Sequence, residues 1–307
     1  MVHRSEARTA IPGGHFIDPQ VLARIDNLEL VARTVVEGFI TGLHRSPYLG
    51  FSIDFAEHRA YMPGDDIRGI DWRVYARTDR YFVKKFEADT NTDFLVLFDV
   101  SASMDYSTGG LSKFDYGRFL AASLTYFSRH QRDRVGLVTF DSDIVDYVPP
   151  SAKHMEVVLH RLDRAEPRGR GEFGKPMRKI AELLRRRGLV VVVSDFYEDP
   201  DTVVNSITEL KFRGNDVVTF HLLDPGELTL PFKKSNYFED MESGEQIPVV
   251  PDKIRGQYLK QLGDHIEELS RRLRAHQIDY TLLDTSTPLD FALFEYLSER
   301  QRFKRVR

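Results

Sequence analysis

Two runs of five consecutive apolar residues, Phe94–Phe98 and Leu189–Val193, constrain this chain more than any other feature in it. A strand without a polar face must be covered on both sides, the condition of a central strand in a sheet sandwiched by helices. Both runs end on acids: the first enters Asp99-Val-Ser101-Ala-Ser103, the second Ser194-Asp195. Ligands in open α/β sheets bind at the carboxyl edge of the strands, so two carboxylates are expected to face one point.

The pattern around these runs alternates between helix and strand, the sign of a sheet with covering helices. A helix is predicted over about 114–130 (Tyr116, Leu120, Leu124, Phe127), then a strand over Val135–Phe140. Asp141-Ser-Asp143 reads as a hairpin turn into an antiparallel edge strand, Ile144–Val148, stopped by Pro149 and Pro150. Helices near 152–164, 175–187 and 200–212 follow, with strands at Leu189–Val193 and Val217–Leu223. Arg185–Arg187 are expected to favour a helix C-terminus through its dipole. A polar excursion runs from about Asp224 to Pro251, before a helix (Tyr258, Leu262, Ile266, Leu269, Leu273), a strand (Ile278–Leu283) and a helix ending near Leu297. Upstream, Val21, Ile25, Leu28, Ala32, Val35 and Phe39 predict one amphipathic helix, and Phe51–Phe55 and Tyr81–Phe86 two strands around a turn-rich, charged link.

The expected fold class is therefore α/β: a doubly wound, mostly parallel sheet with helices on both faces and one antiparallel edge strand, plus an N-terminal helix and an extended charged segment. At 307 residues such a chain buries roughly 75% of its unfolded surface. The expected division is a flexible arm over 1–18, the helix and charge-rich segment over 19–90 packed on the main domain, the main domain over 91–300, and a basic tail over 301–307.

One carboxylate and two neutral hydroxyls, Asp99, Ser101 and Ser103, form an all-oxygen donor set suited to a small hard cation, Mg²⁺ or Mn²⁺. Asp195 is the leading second acid, since two carboxylates balance a divalent ion and leave it electrophilic enough to accept an Asp or Glu from a partner. The plainer reading is that Asp99 and Asp195 cap the helices after their strands.

The strand with Asp99-x-Ser101-x-Ser103 resembles the metal-ion-dependent adhesion site of von Willebrand factor A domains. Arg59-Ala-Tyr-Met-Pro-Gly-Asp-Asp-Ile-Arg-Gly-Ile-Asp-Trp-Arg73, the Arg77–Arg80 run, Phe82-Val-Lys-Lys-Phe-Glu87 and Val193-Ser-Asp-Phe196 resemble the bacterial family catalogued as domain of unknown function 58, over roughly 20–300. The resemblance implies a von Willebrand A-like fold and a partner of MoxR-type AAA+ ATPase class, acting in protein assembly or maturation. Many members of that family carry N-terminal membrane segments. The adhesion site ordinarily takes a threonine from a second loop, and the corresponding stretch here, Gly169-Arg-Gly-Glu-Phe-Gly174, has none. Weak Mg²⁺ binding is expected, about 10 to 100-fold below a complete site, with Glu172 reaching the ion or its water.

Other functions are poorly served. Zero cysteines exclude disulfides, thiolate catalysis and Cys-ligated zinc. The histidines fall on different elements without metal-ligand spacing. Gly169-x-Gly171-x-x-Gly174 imitates a dinucleotide fingerprint but follows a helical segment instead of a strand. A phosphohydrolase needs an acid at the position of Ser101, so metal-dependent phosphate-ester hydrolysis stands as the enzymatic alternative and a metal-free scaffold as the structural one. Arg59, Arg68, Arg73, Arg77, Arg80, Lys84 and Lys85 are matched by Glu57, Asp65, Asp66, Asp71, Asp79, Glu87 and Asp89, and the net charge is -4, so no nucleic-acid stripe is expected. No apolar run could span a bilayer and the charged N-terminus is no secretory signal, which predicts a cytoplasmic protein.

Overall fold

The computed structural model describes residues 18–45, 57–60, 74–75, 80–85 and 92–293. The predicted arm up to residue 17, the strand at 51–55, most of the charged link with its expected ion pairs, the helix end near Leu297 and the tail at 301–307 lie outside these residues.

Two units are distinguished, one comprising 1–14 and 40–91, the other 15–39 and 92–307. In the first, β1 (Glu57–Ala60) pairs antiparallel with β2 (Phe82–Lys85), with Glu57 opposite Lys85 and Ala60 opposite Phe82. Tyr75 and Tyr81 stack at 4.5 Å between ring centroids.

The second unit is built on a six-stranded sheet. Its strands are β3 (Asp93–Asp99), β4 (Arg134–Phe140), β5 (Ile144–Ser151), β6 (Gly188–Ser194), β7 (Asp216–Leu223) and, after the β8–β9 hairpin described below, β10 (Asp279–Asp284). Their order is β10-β7-β6-β3-β4-β5, all parallel except β5. The apolar runs hold the centre, as expected: Phe94–Phe98 of β3 and Leu189–Val193 of β6 are buried throughout and adjacent, with Phe98 opposite Val193. The chain winds outward from β3 through β4 and β5, then restarts at β6 on the other side. The switch point therefore opens between the carboxyl ends of β3 and β6, the position at which doubly wound sheets offer a crevice.

One face carries α3 (Lys113–His130) and α4 (Met155–Asp163); α2 (Leu28–Arg45) reaches α3 through an edge contact of Phe39 on Phe127 at 6.1 Å. A side-chain carbon at Gly117 would lie 2.8 Å from Phe98 and 2.9 Å from Leu222, so glycine lets α3 lie close on the sheet. The other face is covered by α5 (Gly174–Leu183), α6 (Pro200–Phe212) and α8 (Pro251–Ala275), whose Met177, Ile180, Val203, Ile207, Leu269 and Leu273 share a core with Leu95, Leu97, Val190 and Val192. This is the doubly wound α/β architecture, mostly parallel with one antiparallel edge strand, that the sequence predicts.

Four details differ from expectation. The N-terminal helix is broken into α1 (Pro19–Leu22) and α2, with Val21 exposed; Asn27 restarts the helix by accepting the Leu30 N–H at 2.9 Å. Strand β5 continues through Pro149 and Pro150, because they occupy a register shift between the Val135–Ser151 and Leu137–Val148 pairs where the ladder needs no N–H. Helix α5 ends at Leu183, so Arg185–Arg187 lie beyond it and not in its last turn. The excursion after Asp224 is structured: α7 (Pro225–Thr229), then a hairpin of β8 (Asn236–Glu239) and β9 (Gln246–Val249).

Candidate functional site

Asp99 ends β3 and Asp195 follows β6, both almost fully buried at the switch point. Asp99 accepts the Ser101 N–H at 2.9 Å through Oδ1 and the Ser194 hydroxyl at 2.6 Å through Oδ2. Ser101 starts a 3-10 turn, Ala102–Asp105, and its Oγ lies 3.1 Å from that of Ser103. Ser103 in turn favours the ionised form of Asp195. The turn around Asp195 is strained: Phe196 has a φ of 49°, a left-handed conformation costing on the order of 1–3 kcal/mol for a bulky residue. Its ring is wedged between Phe173 and His221, each 5.4 Å away, and its N–H donates to Ser194 Oγ at 3.0 Å. Packing thus holds a turn that local preference disfavours.

The two acids are electrostatically unequal. Burial, and then the charge of Asp195, push the Asp99 carboxyl up to about 7. Burial also acts to raise Asp195, but the ammonium of Lys113 beside it overcomes this and holds it below the usual aspartate value. Lys113 is itself fully buried, and its Nζ donates to Asp195 Oδ2 at 2.8 Å and to Glu227 Oε1 at 2.7 Å. The faces of Tyr197 and Tyr106 lie 4.8 and 5.8 Å from that nitrogen. Full ionisation of Asp99, Asp195 and Glu227 against one ammonium would leave two negative charges beside two serine hydroxyls, a state that the raised Asp99 and Glu227 carboxyls reach only as pH rises. That surplus, with all-oxygen donors, fits a divalent cation. Among the described residues no group of three His, Cys, Asp or Glu side chains is arranged to hold a metal, and an ion at this crevice would depend on the serine hydroxyls as well as on the two aspartates.

Asp99, Ser101, Ser103 and Asp195 are brought together. Glu172 is not drawn in: its side chain is exposed, while its backbone N–H donates to Asp141 O at 3.4 Å. The loop bearing it does reach the site, because the Ala102 N–H donates to Gly169 O at 3.0 Å and the Arg168 N–H to Val100 O at 2.7 Å. Gly171 sits where a side-chain carbon would lie 3.3 Å from Ser101 Cβ and 3.6 Å from its Oγ.

Four residues of the site were not anticipated: Ser194, Lys113, Glu227 and Glu242. Two had signals. A lysine in the first turn of a helix opposes the macrodipole, which suggests that acids hold Lys113 there. Asp224-Pro-Gly-Glu227 is a capping box, in which Glu227 Oε2 accepts the Asp224 N–H at 2.7 Å and leaves Oε1 for Lys113.

Residues 57–268 match the family described as protein of unknown function DUF58. The chain belongs to the DUF58 family. Among its relatives is the uncharacterized protein Rv1480 of Mycobacterium tuberculosis, 26% identical over 296 residues that cover 94% of this chain and 92% of the relative. The uncharacterized protein MAV169 of Mycobacterium avium is 24% identical over 50% of this chain and 92% of its own length. Solved structures similar to this DUF58 chain include the conserved hypothetical protein BatB from Bacteroides thetaiotaomicron, with a TM-score of 0.47, 15% identity, and coverage of 69% of this chain and 99% of that one. The SpRpn10 VWA domain has a TM-score of 0.38 at 14% identity, covering 65% and 92% respectively. No helix among the described residues of this DUF58 protein is long and apolar enough to cross a membrane.

Proposed function

We propose that this protein is a non-catalytic interaction module in which Asp99, Ser101, Ser103 and Asp195 hold Mg²⁺ or Mn²⁺ and an acidic side chain of a protein partner completes the site. The observation that carries this reading is the Asp99–Asp195 pair: two buried carboxylates at the switch point, one of them pushed up to about 7 by its burial and then by the other's charge. A cation between them relieves both the burial and the repulsion. When bound, the ion would supply a Lewis-acidic position for an outside carboxylate. The von Willebrand A-like fold supports an interaction role, and the family resemblance makes a MoxR-type AAA+ ATPase the partner to test first.

A second reading, a metal-free scaffold, draws on Lys113, which already supplies a positive charge to Asp195. Calorimetric titration with Mg²⁺ and Mn²⁺, and capture of the ATPase in Mg²⁺ or EDTA, separate the two. Heat of binding and EDTA-sensitive capture, both lost in Asp99→Ala, are the expected results; no uptake at millimolar metal together with EDTA-indifferent capture would overturn the adhesion reading.

The pH dependence of uptake is fixed by the same pair. Metal requires the carboxylate, so uptake below about pH 7 must expel the proton that Asp99 holds. Apparent Mg²⁺ affinity is expected to rise up to about tenfold per unit between pH 5 and 7 and to level off above. Titrations in buffers of different ionisation heat at pH 6 would count that proton, and a flat profile would contradict the assignment to Asp99.

A further inference from the structure

The adhesion reading leaves an open position for an acidic side chain, and the chain itself brings one to the loop beside Ser101. The turn of the β8–β9 hairpin, Asp240-Met-Glu-Ser-Gly244, is held by Asp240 Oδ1, which accepts the Glu242 N–H at 2.8 Å and the Ser243 N–H at 3.1 Å, and by Gly244 at a φ of 72°. This turn extends Glu242 to the loop beside Ser101. Its Oε1 accepts the Gly171 N–H at 3.0 Å, and its Oε2 lies 3.9 Å from Arg170 Nε. A carbon built on Gly171 would be 3.0 Å from that Oε1 and 3.6 Å from Ser101 Oγ, so the carboxylate and the serine hydroxyl flank the same glycine. Burial and the charge of Asp195 raise the Glu242 carboxyl above the ordinary glutamate value, so it feels the charge of Asp195. Nothing in the fold requires a carboxylate here, since the Gly171 N–H is part-buried and water would satisfy it.

We propose that the β8–β9 hairpin is a built-in occupant of the site, its Glu242 covering the position that a partner's acidic side chain takes, so that docking requires the hairpin to swing away. This rests on the adhesion reading for what docks, whereas the closure itself is a property of the hairpin. A segment joined to the site at high effective concentration needs little intrinsic affinity to compete with an external carboxylate. The absence of a side chain at Gly171 makes room for it.

Two measurements on the full chain test this separately from the metal. Hydrogen exchange in EDTA compares wild type with Glu242→Gln and with Gly171→Ala, whose added methyl would lie 3.0 Å from Oε1 and crowd the carboxylate without changing any charge. Both variants should lose about tenfold protection at the residue 171 amide and across 236–249, as expected for a hydrogen bond to a charged acceptor. Protection in wild type no greater than in the two variants would overturn the closure. Water-proton relaxation with bound Mn²⁺ then compares the same proteins with Asp99→Ala: the hairpin variants should show more exchangeable water on the ion than wild type. Equal relaxivity in wild type and hairpin variants would overturn the covering role of Glu242, whereas Mn²⁺ binding that survives Asp99→Ala, or no binding in wild type, would instead overturn the adhesion reading.

Discussion

Replacing Asp99 by Asn is expected to make the metal-free protein more stable at pH 8 and at the same time to abolish detectable Mg²⁺ binding. With its folded value near 7 against an ordinary 3.8, the Asp99 carboxyl binds more protons in the native than in the unfolded chain between those limits. Stability attributable to this group is therefore complete below about pH 4 and is lost as pH rises to about 7, beyond which the native protein carries an ionised, buried and repelled carboxylate. Asn keeps the acceptor for the Ser101 N–H, and the Ser194 hydroxyl can turn to accept from its amide. The gain at pH 8 should be roughly 1–3 kcal/mol, vanishing near pH 4, as read by urea denaturation in EDTA. Loss of one anionic donor from a two-carboxylate site should weaken Mg²⁺ by well over the ~10 to 100-fold typical of outer-shell partners. A variant that loses metal and also loses stability at pH 8 would mean that Asp99 is a structural cap.

The opposite sign is expected at Lys113. Lys113→Met retains the apolar stem but leaves Asp195 and Glu227 buried beside each other without the ammonium, a change that costs about 3–5 kcal/mol in comparable buried pairs. Melting should fall by on the order of 10 °C, given about 2–4 °C per kcal/mol for a unit of this size. The effect should grow as pH rises, because both acids can be neutralised only by protons once the lysine is gone. Removing Glu227 as well should recover part of the loss, since the surviving repulsion is then smaller. A Lys113→Met protein that melts like wild type would show that this buried charge is solvated in a way the structure does not contain.

The central fold was readable because β3 and β6 are apolar on both faces, a pattern with few alternative meanings. Asp99, Ser101, Ser103 and Asp195 were readable for a related reason: they follow those strands directly, so strand adjacency alone delivers them to one crevice. Lys113, Glu227 and Glu242 come from a helix start, a capping box and a hairpin turn, brought in by tertiary packing that no local period encodes. The hairpin was hidden because its strands are four residues long and Tyr237 and Ile247 stay exposed, leaving no buried face to set an alternation. Its place in the loop makes Glu172 the expected donor from the sequence; the acid that reaches the loop, Glu242, is distant in sequence and accepts from the backbone N–H of the residue just before Glu172, Gly171.

The prolines in the outermost strand have a wider effect. A strand arriving from another molecule to extend the sheet beyond β5 would meet two successive positions, Pro149 and Pro150, with no hydrogen to donate, on a segment bent by its register shift. That side of the sheet is thereby a poor template for recruiting a further strand.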